Sequence, residues 1–128
     1  MRKGGSRFDR LSRGLNRKRG EMNKTEAKYA GELEAKKLAG EIVGYWFEPF
    51  SLRLSSPPAG QPARYTPDFM VLYPDGETHL EDVKANGPDD FAAIVRIKCA
   101  AEMYPLWRFR IVRQRRVKDG GGWDIKEV

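Results

Sequence analysis

The first apolar pattern along the chain is that of a helix. The segment from Lys24 to Ala39 is rich in Ala, Glu, Leu and Lys, which are strong helix formers, and its apolar residues form a thin stripe at helical spacing. Asn23 precedes this segment and Glu26 lies three residues further on, which is the spacing of a capping box. Gly40 follows as a C-terminal stop signal. The sequence therefore predicts a helix over residues 24–39.

The next segment changes to the period of a strand. Ile42 to Phe47 is apolar, and after Glu48-Pro49 the segment from Phe50 to Leu54 alternates apolar and polar residues. This alternation is typical of a strand with one solvated face. Residues 55–63 are rich in proline and serine and are predicted to form a loop.

Two strands around a tight turn are predicted next. Tyr65 to Tyr73 is a largely apolar strand that Pro67 interrupts, and Thr78 to Lys84 is a second strand. The Pro-Asp-Gly sequence at 74–76 is a tight-turn signal. We therefore expect residues 65–84 to form a β-hairpin.

The last third of the chain combines a helix with two strands. From Asp89 to Tyr104 apolar residues recur near the helical period, and Pro105 ends the predicted helix. Trp107 to Val112 and Trp123 to Val128 are predicted strands, joined by a basic, Gly-rich loop. The order α-β-β-β-α-β-β predicts an α/β fold, with a mixed sheet flanked by helices.

Length and composition fit one domain. The chain has 128 residues, of which 40% are hydrophobic, and this is enough for a single core. No apolar run approaches the roughly 20 residues of a transmembrane helix, and no apolar signal segment follows the basic N-terminus. We therefore expect a cytoplasmic protein with no membrane partner. The single Cys99, expected to be buried, and the single His79 exclude a disulfide framework and a multi-Cys or His-rich metal site.

The positive charge is concentrated at the N-terminus. The whole formal net charge of +6 arises in residues 1–22, because residues 23–128 hold equal numbers of basic and acidic groups. Residues 1–22 have few apolar side chains, so they are predicted to be a disordered arm beside a folded domain at 23–128. Such an arm attracts phosphate backbones, and Arg17, Lys18 and Arg19 are its candidate nucleic-acid contacts. The alternative is a solubilising tail.

Three charged side chains of the predicted hairpin can meet at one point. Alternation along its second strand places Asp82 and Lys84 on one face, with Glu81 and His79 on the other, and Asp68 on the neighbouring strand can face Asp82. His79 is interpreted as structural, with a neutral general base as the alternative. Two carboxylates and an ammonium group are costly in a core unless a hard cation neutralises the carboxylates. Oxygen ligands of this kind suit Mg²⁺ or Mn²⁺. The alternative is a surface ion pair beside a strand-end aspartate.

Such a cluster has the groups needed to hydrolyse a phosphodiester. A metal held by Asp68 and Asp82 would lower the pKa of a bound water and withdraw charge from the phosphate. Lys84 would orient the water or stabilise the developing charge. Glu26 is the candidate third carboxylate, as a direct ligand, a ligand through water, or an anchor for a second metal; the alternative, which does not exclude these roles, is the capping box. No organic cofactor is implied.

The sequence Pro-Asp-Phe at 67–69, a turn, and Asp-Val-Lys at 82–84 resemble the PD-(D/E)XK nuclease superfamily. Members of this superfamily have an α-β-β-β-α-β core with the carboxylates on a central hairpin. The resemblance implies a restriction-endonuclease-like fold, in which Asp68 and Asp82 are the motif carboxylates and Lys84 is the motif lysine. It also implies that Glu26 is the upstream helix glutamate.

More narrowly, residues 23–128 resemble a family of small, mostly phage-borne proteins of unassigned function, through the stretches 23–29, 65–69, 82–84 and 101–105. From these resemblances we expect a Mg²⁺- or Mn²⁺-dependent DNA endonuclease in a phage context, selective for branched or recombining DNA. A homodimer is expected, because small members of the superfamily often dimerise to cut two strands. The alternatives are a non-catalytic nucleic-acid-binding protein, and a virion or interaction protein on the same fold.

Four further basic residues are candidates for nucleic-acid contact. Arg96 and Lys98 lie on the second predicted helix, where a plain solvated face is the alternative. Arg108 and Arg110 alternate with apolar residues on the following strand, so they are predicted to lie on its solvated face. They are interpreted either as phosphate contacts or as ordinary surface residues.

Overall fold

The computed structural model describes residues 20–56 and 60–128. The predicted nucleic-acid contacts Arg17, Lys18 and Arg19 lie outside this part of the chain. Helix α1 spans Lys24–Leu38 and helix α2 spans Phe91–Met103. The strands of the described part are β1 (Gly44–Phe47), β2 (Leu52–Arg53), β3 (Arg64–Tyr65), β4 (Phe69–Leu72), β5 (Thr78–Lys84), β6 (Arg108–Gln114) and β7 (Trp123–Glu127).

Side chains close to each helix start explain where the two helices begin. The predicted capping box of α1 is present: the Asn23 side chain accepts from the Glu26 amide, and the Glu26 carboxylate accepts from the Asn23 amide, both at 2.8 Å. Asp90 caps α2, because its carboxylate accepts from the Ala92 amide at 3.0 Å. These bonds satisfy amide groups that have no partner within the helix.

Five strands form a mixed sheet in the order β1-β4-β5-β6-β7. All neighbouring pairs are antiparallel except β5 and β6, which are parallel. A parallel pair needs a long crossover, and α2 lies in the connection between these two strands. The α/β class with a mixed sheet is therefore confirmed.

The two faces of the sheet carry separate cores. Tyr29 and Leu33 of α1 pack with Val71, Val83 and Val112 on one face. The other face, which lies toward α2, buries a second group of residues. Its members are Leu52, Tyr65, Leu80, Ile97, Ala100 and Phe109.

The predicted strand over residues 65–73 is divided in the structure. Arg64–Tyr65 pairs with β2 in a separate two-stranded sheet, whereas Phe69–Leu72 enters the main sheet. Pro67 lies between the two parts, and its ring nitrogen cannot donate a ladder hydrogen bond. Five strands lie between α1 and α2 in the described part of the chain, so the predicted order α-β-β-β-α-β-β was wrong in strand number. This break leaves Asp68 at the entrance to β4.

The surface of α2 corrects one further prediction. Cys99 is exposed, although the sequence analysis predicted it to be buried. Ile97 and Ala100 point at the sheet and are fully buried, and Cys99 lies between them in sequence on the outer side of the helix. In the described ranges, no helix has the length and apolar character needed to cross a membrane.

Candidate functional site

The β4–β5 hairpin brings Asp68 and Asp82 to neighbouring positions. Phe69 pairs with Glu81 across this antiparallel ladder, so the next step along the ladder places Asp68 beside Asp82. An Asp68 carboxylate oxygen accepts from the Val83 amide at 2.7 Å. This bond fixes the Asp68 side chain at the point where β4 begins.

Lys84 neutralises part of the charge of this pair. Its Nζ atom lies 2.7 Å from Asp82 Oδ2, and the two side chains are 22% and 9% exposed, respectively. The ion pair is therefore mostly buried, unlike the surface pair considered as an alternative. The Tyr65 hydroxyl lies 3.5 Å from the other Asp82 oxygen. Burial and the charge of Asp82 raise the pKa of Tyr65, so this hydroxyl remains a donor.

Both aspartates are costly to ionise where they lie. Burial, and then the charge of Asp82, raise the pKa of Asp68 to about 8, while the hydrogen bond from Val83 opposes this rise. Burial also raises the pKa of Asp82, against the stabilising contact with Lys84. One ammonium group does not compensate two buried carboxylates, so the site favours an additional positive charge or a proton.

Glu26 belongs to the same cluster. Its side chain is 3% exposed, its charge raises the pKa values of both Asp68 and Asp82, and it shares a hydrogen bond with Asp68. The capping bond to Asn23 uses one of its oxygens. Glu26 therefore caps α1 and also lies close to the carboxylate pair. Its capping box is confirmed, whereas its role as a metal ligand stays a prediction.

The oxygen donors of this cluster do not form a complete metal cage. Within residues 20–56 and 60–128, no three His, Cys, Asp or Glu side chains are arranged so that they could hold a metal ion. Mg²⁺ in phosphoryl-transfer enzymes is commonly held by one or two carboxylates, with water and substrate phosphate completing the shell. The Asp68–Asp82 pair matches that donor set.

Glu81 and His79 lie on the opposite face of β5, as alternation predicts. Glu81 is fully buried, and one of its oxygens accepts from the Tyr29 hydroxyl at 2.5 Å. Burial lowers the pKa of His79, which favours the neutral ring. Both residues face α1, so they cannot take part in chemistry at Asp82.

Arg108 and Arg110 also lie on the α1 side of the sheet. In the parallel register they are beside His79 and Glu81, so they face away from Asp82 and Lys84. Both arginines contact Glu127. The side chain of Arg110 is only 19% exposed, which corrects its predicted place on a solvated surface. Neither arginine can extend the surface that contains the carboxylate pair.

The two candidates on α2 are separated by the structure. Lys98 lines a cavity of about 920 Å³ between α2 and strands β6 and β7, whereas Arg96 is exposed outside this cavity. Arg113 and Lys126 also line it. We call this cavity the α2–β7 groove.

No pattern in the sequence predicts a role for Tyr65 or Lys126. Tyr65 reaches Asp82 only because Pro67 breaks the strand and lets residues 64 and 65 pair with β2. Alternation along β7 would have placed Lys126 on the face opposite Trp123, but no local pattern identifies the helix that covers this face. Comparisons with protein-family models, curated proteins and solved structures found no match.

Proposed function

We propose that the protein is a metal-dependent endonuclease that hydrolyses DNA phosphodiesters, on a restriction-endonuclease-like variant of the α/β fold. The observation that carries the proposal is the pairing of half-buried Asp68 with buried Asp82, with Lys84 in contact with Asp82. Buried carboxylates of this kind weaken the fold unless a positive charge, such as a bound cation, neutralises them. Their position on a central hairpin, followed by a helix, supports the resemblance to the PD-(D/E)XK superfamily.

Mg²⁺ or Mn²⁺ is the cofactor that this donor set fits. Asp68 and Asp82 would hold the ion, and Glu26 would act as a third ligand through water. When bound, the ion would withdraw negative charge from the phosphodiester and ease the deprotonation of an attacking water. An ion would also offset the burial, and the repulsion from neighbouring carboxylates, that raise the pKa values of both aspartates.

The remaining side chains have roles that follow from their contacts. Lys84 Nζ is close enough to Asp82 to stabilise negative charge that develops on a phosphate bound at the carboxylates. Tyr65 holds the other side of Asp82 and so orients its carboxylate. The Val83 amide does the same for Asp68. These contacts preorganise the two carboxylates before a substrate arrives.

A non-catalytic nucleic-acid-binding protein is the second candidate. The observation that favours it is the close Lys84–Asp82 contact, because a lysine that only balances a buried carboxylate needs no metal. The basic N-terminal sequence and the α2–β7 groove would then serve binding alone. A virion or interaction protein on this fold is the third possibility, and it predicts no affinity for DNA.

Nicking of supercoiled plasmid and cleavage of four-way-junction DNA test the proposal. The wild-type protein is expected to cut in Mg²⁺ or Mn²⁺ and not in EDTA. Asp82→Asn and Lys84→Ala should each lower the cleavage rate by at least about 100-fold while leaving DNA affinity in EDTA within about threefold. Asp75→Asn, at an exposed turn, is the matched control and should cut like the wild type.

Each outcome separates the candidates. Intact DNA with both metals, together with affinity for DNA, would favour the non-catalytic binder. Loss of cleavage in Asp75→Asn to the same degree as in Asp82→Asn would mean that the carboxylate pair has no special role. Preferential cutting of the four-way junction over linear duplex would support the expected selectivity for branched DNA.

A further inference from the structure

We propose that the α2–β7 groove binds an unpaired segment of the DNA strand next to the bond that is cut. The inference rests on the proposed function for its choice of nucleic acid as the ligand. It adds a strand-binding site outside the carboxylate pair, with Lys98 and Lys126 as the phosphate contacts.

The groove exists because α2 covers only part of its face of the sheet. Ile94 and Ala101 of α2 form one wall, and Ile111 and Val128 contribute from the strand side. These aliphatic side chains give the groove an apolar lining, called the aliphatic floor below. Its volume of about 920 Å³ falls in the range of sites that enclose whole small ligands.

Strand register connects the groove to the proposed catalytic site. In the parallel β5–β6 ladder, Asp82 pairs with Ile111 and Lys84 pairs with Arg113. Ile111 and Arg113 line the groove, and paired residues of neighbouring strands point to the same face. A strand whose phosphate lies at Asp82 and Lys84 can therefore continue directly into the groove.

The charges of the groove favour a phosphate ligand. Three of its four acidic side chains are already paired with arginines: Asp89 with Arg113, Asp124 with Arg115, and Glu127 with Arg108 and Arg110. Among the described residues, neither Lys98 nor Lys126 forms an ion pair. Two ammonium groups, one from the helix and one from β7, thus line the groove, and among its acidic side chains Glu102 has no arginine partner within the described part of the chain.

The shape of the groove favours an unpaired strand over a duplex. A concave site of this volume admits nucleotides that have left the base stack, whereas a base-paired duplex can only lie across its opening. Lysine contacts to phosphate and contact of sugar or base with the aliphatic floor need no particular base sequence. Substrates with unpaired nucleotides next to the cut, such as branched DNA, provide such a segment.

Binding of short oligonucleotides in EDTA tests the groove without any cleavage. Fluorescence anisotropy would compare the full-length wild type with Lys98→Ala/Lys126→Ala on a single strand and on the corresponding duplex. The matched control, Lys28→Ala/Lys118→Ala, also removes two exposed cations, which lie outside the groove. We expect the single-strand Kd to rise at least about tenfold in the groove variant and at most about threefold in the control. The Kd for the duplex should rise by the same factor in both variants.

Photocrosslinking of the wild-type protein provides a second readout that needs no variant. A single strand carrying bromodeoxyuridine is expected to crosslink to α2, β6 or β7 at groove residues. Three outcomes would each overturn the inference. Both double variants could lose the same single-strand affinity, the wild type could fail to bind the single strand, or the crosslinks could be confined to other elements. Both measurements are made without metal, so they test the groove even if the protein does not cut DNA. If the groove variant cleaves DNA normally and binds the single strand as the wild type does, the proposed role of the groove fails while the proposed nuclease function stands.

Discussion

Replacing Asp68 by Asn is expected to stabilise the metal-free protein at neutral to slightly alkaline pH. Burial and the neighbouring Asp82 raise the pKa of Asp68 to about 8, whereas an aspartate in an unfolded chain titrates near pH 3.9. Between these two values the folded state keeps a proton that the unfolded state releases. The free energy of unfolding of the wild type should therefore fall as the pH rises from about 4 to about 8, and level off above.

The size of this effect follows from the same pKa values. One linked group changes the free energy of unfolding by at most about 1.4 kcal/mol per pH unit, which limits the loss at pH 7 to about 4 kcal/mol. The amide of the variant resembles the protonated carboxyl: its oxygen can accept from Val83 and its NH₂ group can donate to Glu26. Asp68 is partly exposed, so we expect Asp68→Asn to gain about 1–3 kcal/mol near pH 8 and nothing near pH 4.

Urea unfolding followed by tryptophan fluorescence would measure this difference. In EDTA the variant should be the more stable protein near pH 8. Saturating Mg²⁺ should reverse the order, because an ion that binds only the folded wild type adds stability according to its concentration and Kd. Asp75→Asn, at the exposed turn, should follow the wild type in both conditions. A variant that is less stable in EDTA near pH 8, or wild-type stability that does not respond to Mg²⁺, would refute the reasoning.

Three further predictions address other parts of the molecule. A protein lacking residues 1–22 should bind DNA more weakly, with a smaller salt dependence, yet keep the stabilisation by Mg²⁺; loss of that stabilisation would contradict the division between arm and site. Native Cys99 should react with a thiol reagent as fast as a model peptide, because it is exposed; slow labelling would contradict its position. Phe69→Ala should lower the free energy of unfolding by about 3–5 kcal/mol in urea, since Phe69 is fully buried; a loss under about 1 kcal/mol would contradict this packing.

Local signals predicted the elements that depend on neighbouring residues alone. The start of α1 follows from Asn23 and Glu26, whose reciprocal bonds are present. The predicted strand from Thr78 to Lys84 agrees with β5 at both ends. Both features are encoded within a few residues, by side chains that bond to nearby backbone or by strict alternation.

Non-local packing decided the features that the sequence analysis missed. The two-residue strands β2 and β3 are too short for an alternation pattern to identify, and they exist because they pair with each other over a long loop. Arg110 alternates as a surface residue would, yet the parallel register places it beside buried Glu81. The exposure of Cys99 depends on which side of α2 meets the sheet.

Some features of the candidate site also follow from the local sequence, and others depend on tertiary packing. The sequence by itself determined that Asp82 and Lys84 share a face, because a strand has a period of two, and that Asp68 lies on the neighbouring strand of a hairpin. Only the tertiary structure decided how deeply these carboxylates are buried, that Glu26 joins them from α1, and that α2 leaves a groove beside them. Burial and the distances between elements come from the docking of helices on the sheet. That docking depends on contacts between residues far apart in the chain, which a local pattern does not record.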